Sequence, residues 1–422
     1  MKSNHFWAAG GKMLAVVTVA IIVVFLLAPG ASAAVKYKVL HRFQGEDGAE
    51  PVAGSLVFDT AGNLYGMTIS GGDYGYGAVF QLVPNTDGNW TENVLHSFTG
   101  GSDGSAPDDS SLIIGADGSL YGATPGGGDS GNGVVFELTP SLDGSWSENV
   151  LHSFSGGDGA HPDAGLVFDT FGNLYGTATR GGAHNRGVVF ELTPNQDGTW
   201  SESVLYDFNG HKDGSCPQHT SPIFDPAGNL YGTTSALVPR NQRSTVFQLV
   251  PNGDGTWREN VLYVFPGKEG ELALGSLAFD PAGNLYGAIV QGGAYGRGMV
   301  FKLTPNANGE WKEQVLHQFR GGKDGAAPFG GVVFDTQGNL YGTTLHGSGK
   351  SCSGWWGSGC GTVFKLMPTV NGPWTEQILH RFNGKPTGNP YGAVLLDGAG
   401  NLYAMTSDQN TDGLGVVFEI TP

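Results

Sequence analysis

The chain has 422 residues, of which 72 are glycine and 14% are charged, and its formal net charge is −17. Such an acidic chain repels nucleic acid and anionic lipid, so we expect neither as a partner. High glycine content accompanies disorder in some chains, but aromatic residues make up 11% of this one and recur at regular places, which indicates a folded, turn-rich β protein.

Residues 1–33 are predicted to be a signal peptide. Lys2 and Lys12 come before an apolar run from Met13 to Leu27, and the small-x-small pattern Ala31-Ser32-Ala33 follows it. The run is short for a membrane span, which needs roughly 20 apolar residues; an uncleaved anchor is the alternative. Removing this segment takes away two lysines and no acids, so the charge goes from −17 to −19. We expect a secreted protein, extracellular or periplasmic, with no membrane insertion after signal removal.

A repeat of about 55 residues occupies the rest of the chain. The phrase NLYG, or a near copy, occurs seven times, and successive copies are 56, 54, 56, 55, 55 and 62 residues apart. No spacer domain separates the copies. The tyrosines of the phrase are Tyr65, Tyr121, Tyr175, Tyr231, Tyr286, Tyr341 and Tyr403.

One repeat, residues 54–98, predicts four short strands joined by tight turns. GSLVFD, LYGMT and AVFQLV are the first three strands, and Pro84 ends the third because proline cannot donate to a ladder. TAGN and NTDGN are turns, and ISGGDYGYG is a glycine-rich loop. WTENVLHSF is the fourth strand, whose alternation places Trp90, Val94, His96 and Phe98 on one side.

The last repeat has three strands and then ends at Pro422, while VKYKVLHRF at residues 35–43 repeats the fourth-strand phrase. A lone four-stranded meander leaves both faces apolar, and radial repetition covers them. We therefore predict an all-β fold, a monomeric seven-bladed β-propeller of four-stranded antiparallel blades over residues 34–422. Strand 35–43 should complete the blade formed by residues 391–422.

The repeat phrase GNLYGTT…GG…G.VF.LTP…G.W.E.VLH.F resembles that of the GloVer tandem-repeat family of exported bacterial proteins. The resemblance covers almost the whole mature chain. Local departures are Ala404 after Tyr403, IGADGS around Asp117, and SALVPRNQRST in the fourth repeat. The resemblance implies export and a propeller-like array, and it carries no catalytic motif.

Residues that recur in every repeat are interpreted as structural first. His41, His96, His152, His317 and His380 share one position, which Tyr206 and Tyr263 occupy in two repeats, and we expect them far apart. An aspartate opens each D-x-x-G turn, where its side chain can bond nearby backbone; these are Asp59, Asp169, Asp225, Asp280, Asp335 and Asp397. No cofactor and no metal site are predicted, although structural calcium in Asp-rich loops such as GGSDGSAPDD stays an alternative.

Function is sought where the repeats differ, which is on the loops between strands two and three and on the crossings between blades. Binding residues tend to lie on loops carried by a rigid scaffold. The candidate ligand-binding residues are Tyr74, Tyr76, His184, Arg186, Tyr295, Arg297, His346, Trp355 and Trp356, with Arg240 and Arg243 on the same rim.

An insertion in the sixth repeat, LHGSGKSCSGWWGSGCGTVF, places Cys352 and Cys360 on either side of Trp355 and Trp356. Export favours a disulfide between the two cysteines. Rigid exposed tryptophans would suit a sugar ring or an apolar partner; packing on the neighbouring blade is the alternative. Cys216 is left unpaired, and we expect a buried, inert thiol.

The leading prediction is a binding module for a glycan or protein ligand, and no catalytic residue is predicted. The second is a carbohydrate-active enzyme, a glycoside hydrolase or polysaccharide lyase, on the same rim, where two close carboxylates would suffice. Its candidate carboxylates are Asp108, Asp109, Glu269 and Glu271. The third is a structural surface protein.

Overall fold

The computed structural model describes residues 34–51, 54–235, 243–266, 272–348, 352–354, 357–370, 373–384, 387–407 and 413–422. Seven four-stranded antiparallel sheets form a closed ring, so the predicted seven-bladed propeller is confirmed. Val35–Pro422 is one compact unit. We number the blades 1 to 7 in chain order, starting with the blade that contains Tyr65. The described residues include no helix long and apolar enough to span a membrane.

Each blade begins with a two-residue strand followed by a buried five-residue strand. The first strands are β2 Val57–Phe58, β6 Ile113–Ile114, β10 Val167–Phe168, β14 Ile223–Phe224, β18 Ala278–Phe279, β22 Val333–Phe334 and β28 Leu395–Leu396. The second strands are β3 Leu64–Thr68, β7 Leu120–Thr124, β11 Leu174–Ala178, β15 Leu230–Thr234, β19 Leu285–Ile289, β23 Leu340–Thr344 and β29 Leu402–Thr406.

The third and fourth strands are longer. The third strands are β4 Ala78–Pro84, β8 Val134–Pro140, β12 Val188–Pro194, β16 Thr245–Pro251, β20 Met299–Pro305, β26 Thr362–Met367 and β30 Val416–Thr421. The fourth strands are β5 Trp90–Ser97, β9 Trp146–Ser153, β13 Trp200–Asp207, β17 Trp257–Val264, β21 Trp311–Gln318, β27 Thr375–Arg381 and, for blade 7, β1 Lys36–Arg42. A short ribbon, β24 Ser353–Gly354 with β25 Gly357–Ser358, is inserted in blade 6.

The N-terminal strand completes the last blade. Strand β1 pairs antiparallel with β30, from Lys36 opposite Thr421 to Arg42 opposite Val416, and the sheet order is β1-β30-β29-β28. The predicted closure is therefore confirmed. It joins the first and last described strands in one sheet, so the ring has no open edge between its ends.

The predicted alternation of the fourth strand is interrupted by a β-bulge. In blade 1 the register shifts between the pairs Phe80–Val94 and Val79–His96. As a result Leu95 packs on the core while Val94 is 39% exposed. The prediction that Trp90, Val94, His96 and Phe98 share one side was wrong: Trp90 and Val94 precede the bulge and stay on one side, whereas His96 and Phe98 follow it and lie on the other.

The core between blades is built from repeated aromatic pairs. The phenylalanine after each fourth strand meets the phenylalanine of the next blade's third strand, with ring centroids 5.0 to 5.3 Å apart in edge-to-face geometry. The pairs run once around the ring: Phe43–Phe80, Phe98–Phe136, Phe154–Phe190, Phe208–Phe247, Phe265–Phe301, Phe319–Phe364 and Phe382–Phe418.

The crossings between blades lie beside the strand 2–3 loops, and together they form what we call the crossing rim. Isolated bridges join the two sets of loops, for example Ala49 with Ser70 and Ala326 with His346. Near the ring axis small residues allow close contact: a Cβ at Gly54 would lie 2.2 Å from the Ser110 carbonyl oxygen. The hairpin turns of the blades lie at the other ends of the strands.

Candidate functional site

A surface groove between blades 5 and 6 brings together an exposed aromatic ring and several titratable side chains. Its wall on blade 5 includes Tyr295 and His317, and its wall on blade 6 includes Trp374 and Glu376. The crossing between the two blades, with the short 3-10 turn Gly322–Asp324, lies at the end of the groove on the crossing rim. We call this feature the blade 5–6 groove.

The loop that carries Tyr295 is held in place by the strand beside it. The backbone N–H of Ala294 donates to Gln318 Oε1 at 2.7 Å, and the N–H of Phe319 donates to the Gly298 carbonyl at 3.0 Å. Gly298 has φ +93°, and a Cβ there would lie 2.5 Å from the Ile289 carbonyl oxygen. The close approach therefore requires glycine, and it fixes the loop that projects Tyr295.

Tyr295 is 52% exposed on the crossing rim. The guanidinium carbon of Arg320 lies 5.4 Å from the centre of its ring. A cation at this distance is attracted to the π face, which holds the two side chains together. Together the two side chains offer a ligand an aromatic surface and an adjacent positive charge.

More positive side chains lie beside this pair. Arg297 and Lys323 are exposed on the same rim. A Cβ at Gly357 would lie 3.3 Å from Arg297 Nη1, so Arg297 also reaches the ribbon inserted in blade 6. Arg381 Nε donates to the Lys323 carbonyl at 3.2 Å. The rim of blades 5 and 6 is therefore basic, on a chain whose net charge is −17.

The insertion is anchored by the predicted disulfide, which is confirmed. Cys352 and Cys360 are bonded, with their Cα atoms 5.0 Å apart, and both are buried. Trp355 and Trp356 lie outside the described residues, so their role stays a prediction. His346 is only 1% exposed, and its Nδ1 lies 3.3 Å from the Gly359 carbonyl oxygen.

Inside the groove, His317 contacts two carboxylates. His317 Nε2 lies 3.3 Å from Asp324 Oδ1 and 3.4 Å from Glu376 Oε1. Partial burial, together with Asp324, raises the pKa of Glu376 to about 9. Burial also acts to raise the pKa of Asp324, but contacts with His317 and Glu376 outweigh it and lower that pKa to about 2. The two carboxyl groups therefore hold one proton between them at neutral pH.

The same arrangement recurs at other blade junctions, and the sequence reasoning missed it. His41 meets Asp47 and Glu92 between blades 7 and 1, and His152 meets Asp158 and Glu202 between blades 2 and 3. The histidines do belong to separate junctions, but four of the five contact a carboxylate, while His380 stacks on Tyr37. The overlooked signal was the glutamate in the phrase W-x-E, present in six repeats: Glu92, Glu148, Glu202, Glu259, Glu313 and Glu376.

Near the ring axis on the crossing rim, residues of separate blades form a second polar cluster. His219 Nδ1 contacts Asp109 Oδ2, and Thr179 donates to Asp163 at 2.5 Å. Burial and the neighbouring carboxylate raise the pKa values of Asp109 and, to about 7, of Asp108. The cavity beside this cluster measures about 20 Å³, which is room for about one water molecule. It is too small for a sugar.

The other predicted ligand residues lie on different blades. Tyr74 and Tyr76 of blade 1 are 60% and 50% exposed. His184 and Arg186 are on blade 3, exposed and half-buried respectively, and Arg243 of blade 4 is exposed. Of the predicted residues that the structure describes, only Tyr295, Arg297, His346 and the disulfide belong to neighbouring blades 5 and 6.

Three further predicted residues, Arg240, Glu269 and Glu271, lie outside the described residues. Cys216 is buried and unpaired, and burial raises the pKa of its thiol. An unreactive thiol is consistent with this environment.

A sequence-family comparison agrees with the repeat pattern. The family described as the Gloeobacter/Verrucomicrobia repeat matches residues 23–236, 144–356 and 219–422, so overlapping matches run from residue 23 to residue 422. The chain belongs to this repeat family. No curated protein is similar to it in sequence.

Solved structures share the fold at low identity. The virginiamycin B lyase of Staphylococcus aureus has a TM-score of 0.54 at 14% identity, over 92% of this chain and 99% of that one. PorZ, a surface component of the type-IX secretion system of Porphyromonas gingivalis, has a TM-score of 0.48 at 15% identity, over 90% of this chain and 48% of that one. At 14% identity the likeness to the lyase shows the propeller fold alone.

Proposed function

We propose that this repeat-family protein is an exported binding module that takes an anionic polysaccharide in the blade 5–6 groove. One observation carries the proposal: Tyr295 is half exposed, lies under Arg320, and is surrounded by further positive side chains on an acidic chain. Export itself rests on the predicted signal peptide and on the disulfide, which is typical of oxidising compartments.

The chemistry of the groove fits a sugar acid better than a neutral sugar. A pyranose ring can pack its C–H face on the Tyr295 ring, while the carboxylate of the same residue or the next pairs with Arg320. Guanidinium groups bind carboxylates in two-pronged geometry, which gives orientation as well as attraction. Arg297 and Lys323 extend the positive surface along the rim. A chain of several uronate units could therefore form more than one ion pair with the protein.

The test is retention of polysaccharides by the purified protein, comparing polygalacturonate and alginate with neutral xylan and β-glucan. We expect retention of an anionic polymer that weakens as salt increases. Tyr295→Ala should weaken binding about tenfold, because the loss of one aromatic anchor costs roughly 1 to 2 kcal/mol.

Blade 1 supplies the matched control. Tyr74 is at the equivalent loop position and is 60% exposed, but Thr99 and Ser102 stand where the crossing between blades 5 and 6 has Arg320 and Lys323. Tyr74→Ala should leave binding unchanged. Equal losses from the two substitutions, or stronger retention of neutral polymers, would contradict the proposal.

A carbohydrate-active enzyme on the same surface is the second candidate. It is favoured by the separation of the pKa values of Asp324 and Glu376, to about 2 and about 9, within reach of Tyr295. Two carboxyl groups whose pKa values differ in this way suit the roles of general acid and general base. Against it, the same side chains recur at junctions of other blades, which is typical of a structural role.

Product release separates these candidates. Reducing ends or unsaturated uronates that appear with time would show that polymer is cleaved. If Glu376→Gln abolishes this release, the protein is an enzyme rather than a binding module. If no polymer is retained and no product is released, the glycan proposal fails, and a protein ligand or a structural surface role takes its place.

A further inference from the structure

Three blade junctions each place one imidazole and two carboxylates around a common point. The clusters are His41–Asp47–Glu92, His152–Asp158–Glu202 and His317–Asp324–Glu376, and within each the donor atoms all lie within 4.8 Å of one another. Each histidine and aspartate come from one blade and its crossing, and the glutamate comes from the next blade's outer strand. The donors therefore connect two separate sheets.

The aspartate of these clusters is fixed by a backbone N–H that donates to one carboxylate oxygen, while its other oxygen lies beside the imidazole. Asp47 Oδ1 accepts the backbone N–H of Gln44 at 2.6 Å, while its Oδ2 lies 2.9 Å from His41 Nε2. Asp158 repeats this arrangement, with Oδ1 accepting from Ser155 N–H at 2.9 Å and Oδ2 lying 3.0 Å from His152 Nε2. One oxygen fixes the loop, and the other points at the imidazole.

The glutamate of these clusters has a carboxylate oxygen that accepts no hydrogen bond from the described residues. Glu92 Oε1 and Glu202 Oε1 are buried atoms, and neither accepts a hydrogen bond from any described residue; Glu259 Oε1, at a junction without the histidine, shares this property, so the nearby imidazole and aspartate are what distinguish the clusters. A buried carboxylate oxygen without a partner is costly, and native proteins rarely keep one. A neutral imidazole and two carboxylates carry a charge of −2, which one divalent cation would neutralise.

We infer that these three junctions bind a divalent transition-metal ion that links neighbouring blades. One imidazole nitrogen with two carboxylate oxygens is a donor set that suits Zn²⁺, whereas Ca²⁺ prefers six or more oxygens. Ligands around zinc lie about 2.0–2.2 Å from the metal, so the glutamate must turn slightly inward. Metal binding requires both carboxylates ionised.

The junction between blades 1 and 2 has the same residue types, His96, Asp103 and Glu148. It is not among the clusters whose donor atoms all lie within 4.8 Å of one another, so we do not count it as a site.

The other three junctions supply internal controls. Between blades 3 and 4 a tyrosine replaces the histidine, and Tyr206 donates to Asp213 at 3.2 Å. Between blades 4 and 5, Tyr263 donates directly to Glu313 at 3.0 Å. Between blades 6 and 7, Tyr37 stacks on His380 with ring centroids 4.2 Å apart, where other blades have the glutamate. None of these junctions offers the three donors.

The test is zinc stoichiometry of the untagged protein, stripped with EDTA and titrated with Zn²⁺ at pH 7.5 by calorimetry, with metal analysis after gel filtration. We expect three ions per chain, one for each cluster, and a raised unfolding midpoint. The double variant Glu92→Gln/Glu202→Gln should retain one ion. The control Glu259→Gln, at the Tyr206 junction, should retain all three.

The inference is overturned if the stripped protein takes up no Zn²⁺, if the double variant keeps the parent stoichiometry, or if Ca²⁺ binds at these junctions in preference. Folding of each variant is checked by near-ultraviolet circular dichroism. Should the double variant not fold, the single variants decide: each must lose one ion. Since Glu92 and Glu202 lie outside the blade 5–6 groove, these results do not depend on polysaccharide binding.

Discussion

At the scale of single residues, the repeated aspartates show how a short phrase fixes a turn. Asp225 Oδ1 accepts the N–H groups of Ala227 and Asn229, both at 2.9 Å. Its Oδ2 accepts from Asn229 Nδ2 at 2.8 Å and from the Tyr231 hydroxyl at 2.9 Å. Partial burial acts to raise the pKa of Asp225, but these hydrogen bonds lower it overall. The carboxylate therefore joins the turn to the second strand.

Asp225→Ala should lower the free energy of unfolding by about 1 to 3 kcal/mol, because it leaves several donors without their charged acceptor. Urea denaturation followed by tryptophan fluorescence measures the change. Asp254→Ala is the matched control: its Oδ1 accepts only from Thr256 N and Oγ1 in an exposed hairpin turn. A loss from Asp254→Ala as large as that from Asp225→Ala would contradict this account.

The turn aspartates were predictable because their partners lie two to six residues away in the sequence. The histidine clusters were not, because Glu92 is 51 residues from His41 and reaches it only through packing of the next blade. Tyr295 illustrates a middle case. Its exposure on the crossing rim followed from the loop, but Arg320 beside it came from the crossing between blades.

At the scale of elements, closure of the ring depends on one strand. Strand β1 pairs with β30, and its flanking Phe43 packs on Phe80 of blade 1 at 5.1 Å. Tyr37 of the same strand lies 5.4 Å from Phe418 and 4.2 Å from the ring of His380. One segment thus contacts blades 6, 7 and 1, and its removal would open the sheet edge of β30.

Deletion of residues 34–43 should lower the unfolding midpoint strongly and promote aggregation, since burying Phe43 alone is worth about 3 to 5 kcal/mol on truncation. A circular permutant provides the control. It begins at Gln44 and joins Pro422 to Val35 through Asn-Thr-Asp-Gly-Asn, the turn of residues 85–89 in blade 1. Differential scanning calorimetry should show near-parental stability for the permutant; a permutant as unstable as the deletion would refute the role of β1.

At the scale of the whole molecule, the blade junctions couple stability to pH. Burial, together with a neighbouring aspartate, raises the pKa of four junction glutamates to about 7: Glu92, Glu148, Glu202 and Glu259. These groups bind protons more tightly when folded than when unfolded. Their contribution to stability is complete below the unfolded pKa and is lost as pH rises through about 7.

In the presence of EDTA, the unfolding midpoint should therefore fall between about pH 6.5 and pH 8. Histidines with lowered pKa values, such as His380 at about 4, act in the opposite direction only at lower pH. Thermal scans across this range measure the slope. Replacing the four glutamates by glutamine should reduce the slope and leave the part due to Glu376, whose pKa is raised to about 9; a midpoint that stays level in the parent protein would contradict the assignment.

The ring could be predicted from the sequence alone. Seven copies of one phrase, with the fourth strand of the last copy moved to the front, leave few other ways to bury apolar strands. The turns and the disulfide could be predicted as well, because their partners are close along the chain. Three features could be seen only in the folded chain: the bulge that turns Leu95 inward, the contact of Tyr295 with Arg320, and the clusters of histidine with two carboxylates. Each of these depends on register or on contact between segments distant in sequence, and periodicity along a strand carries no information about either.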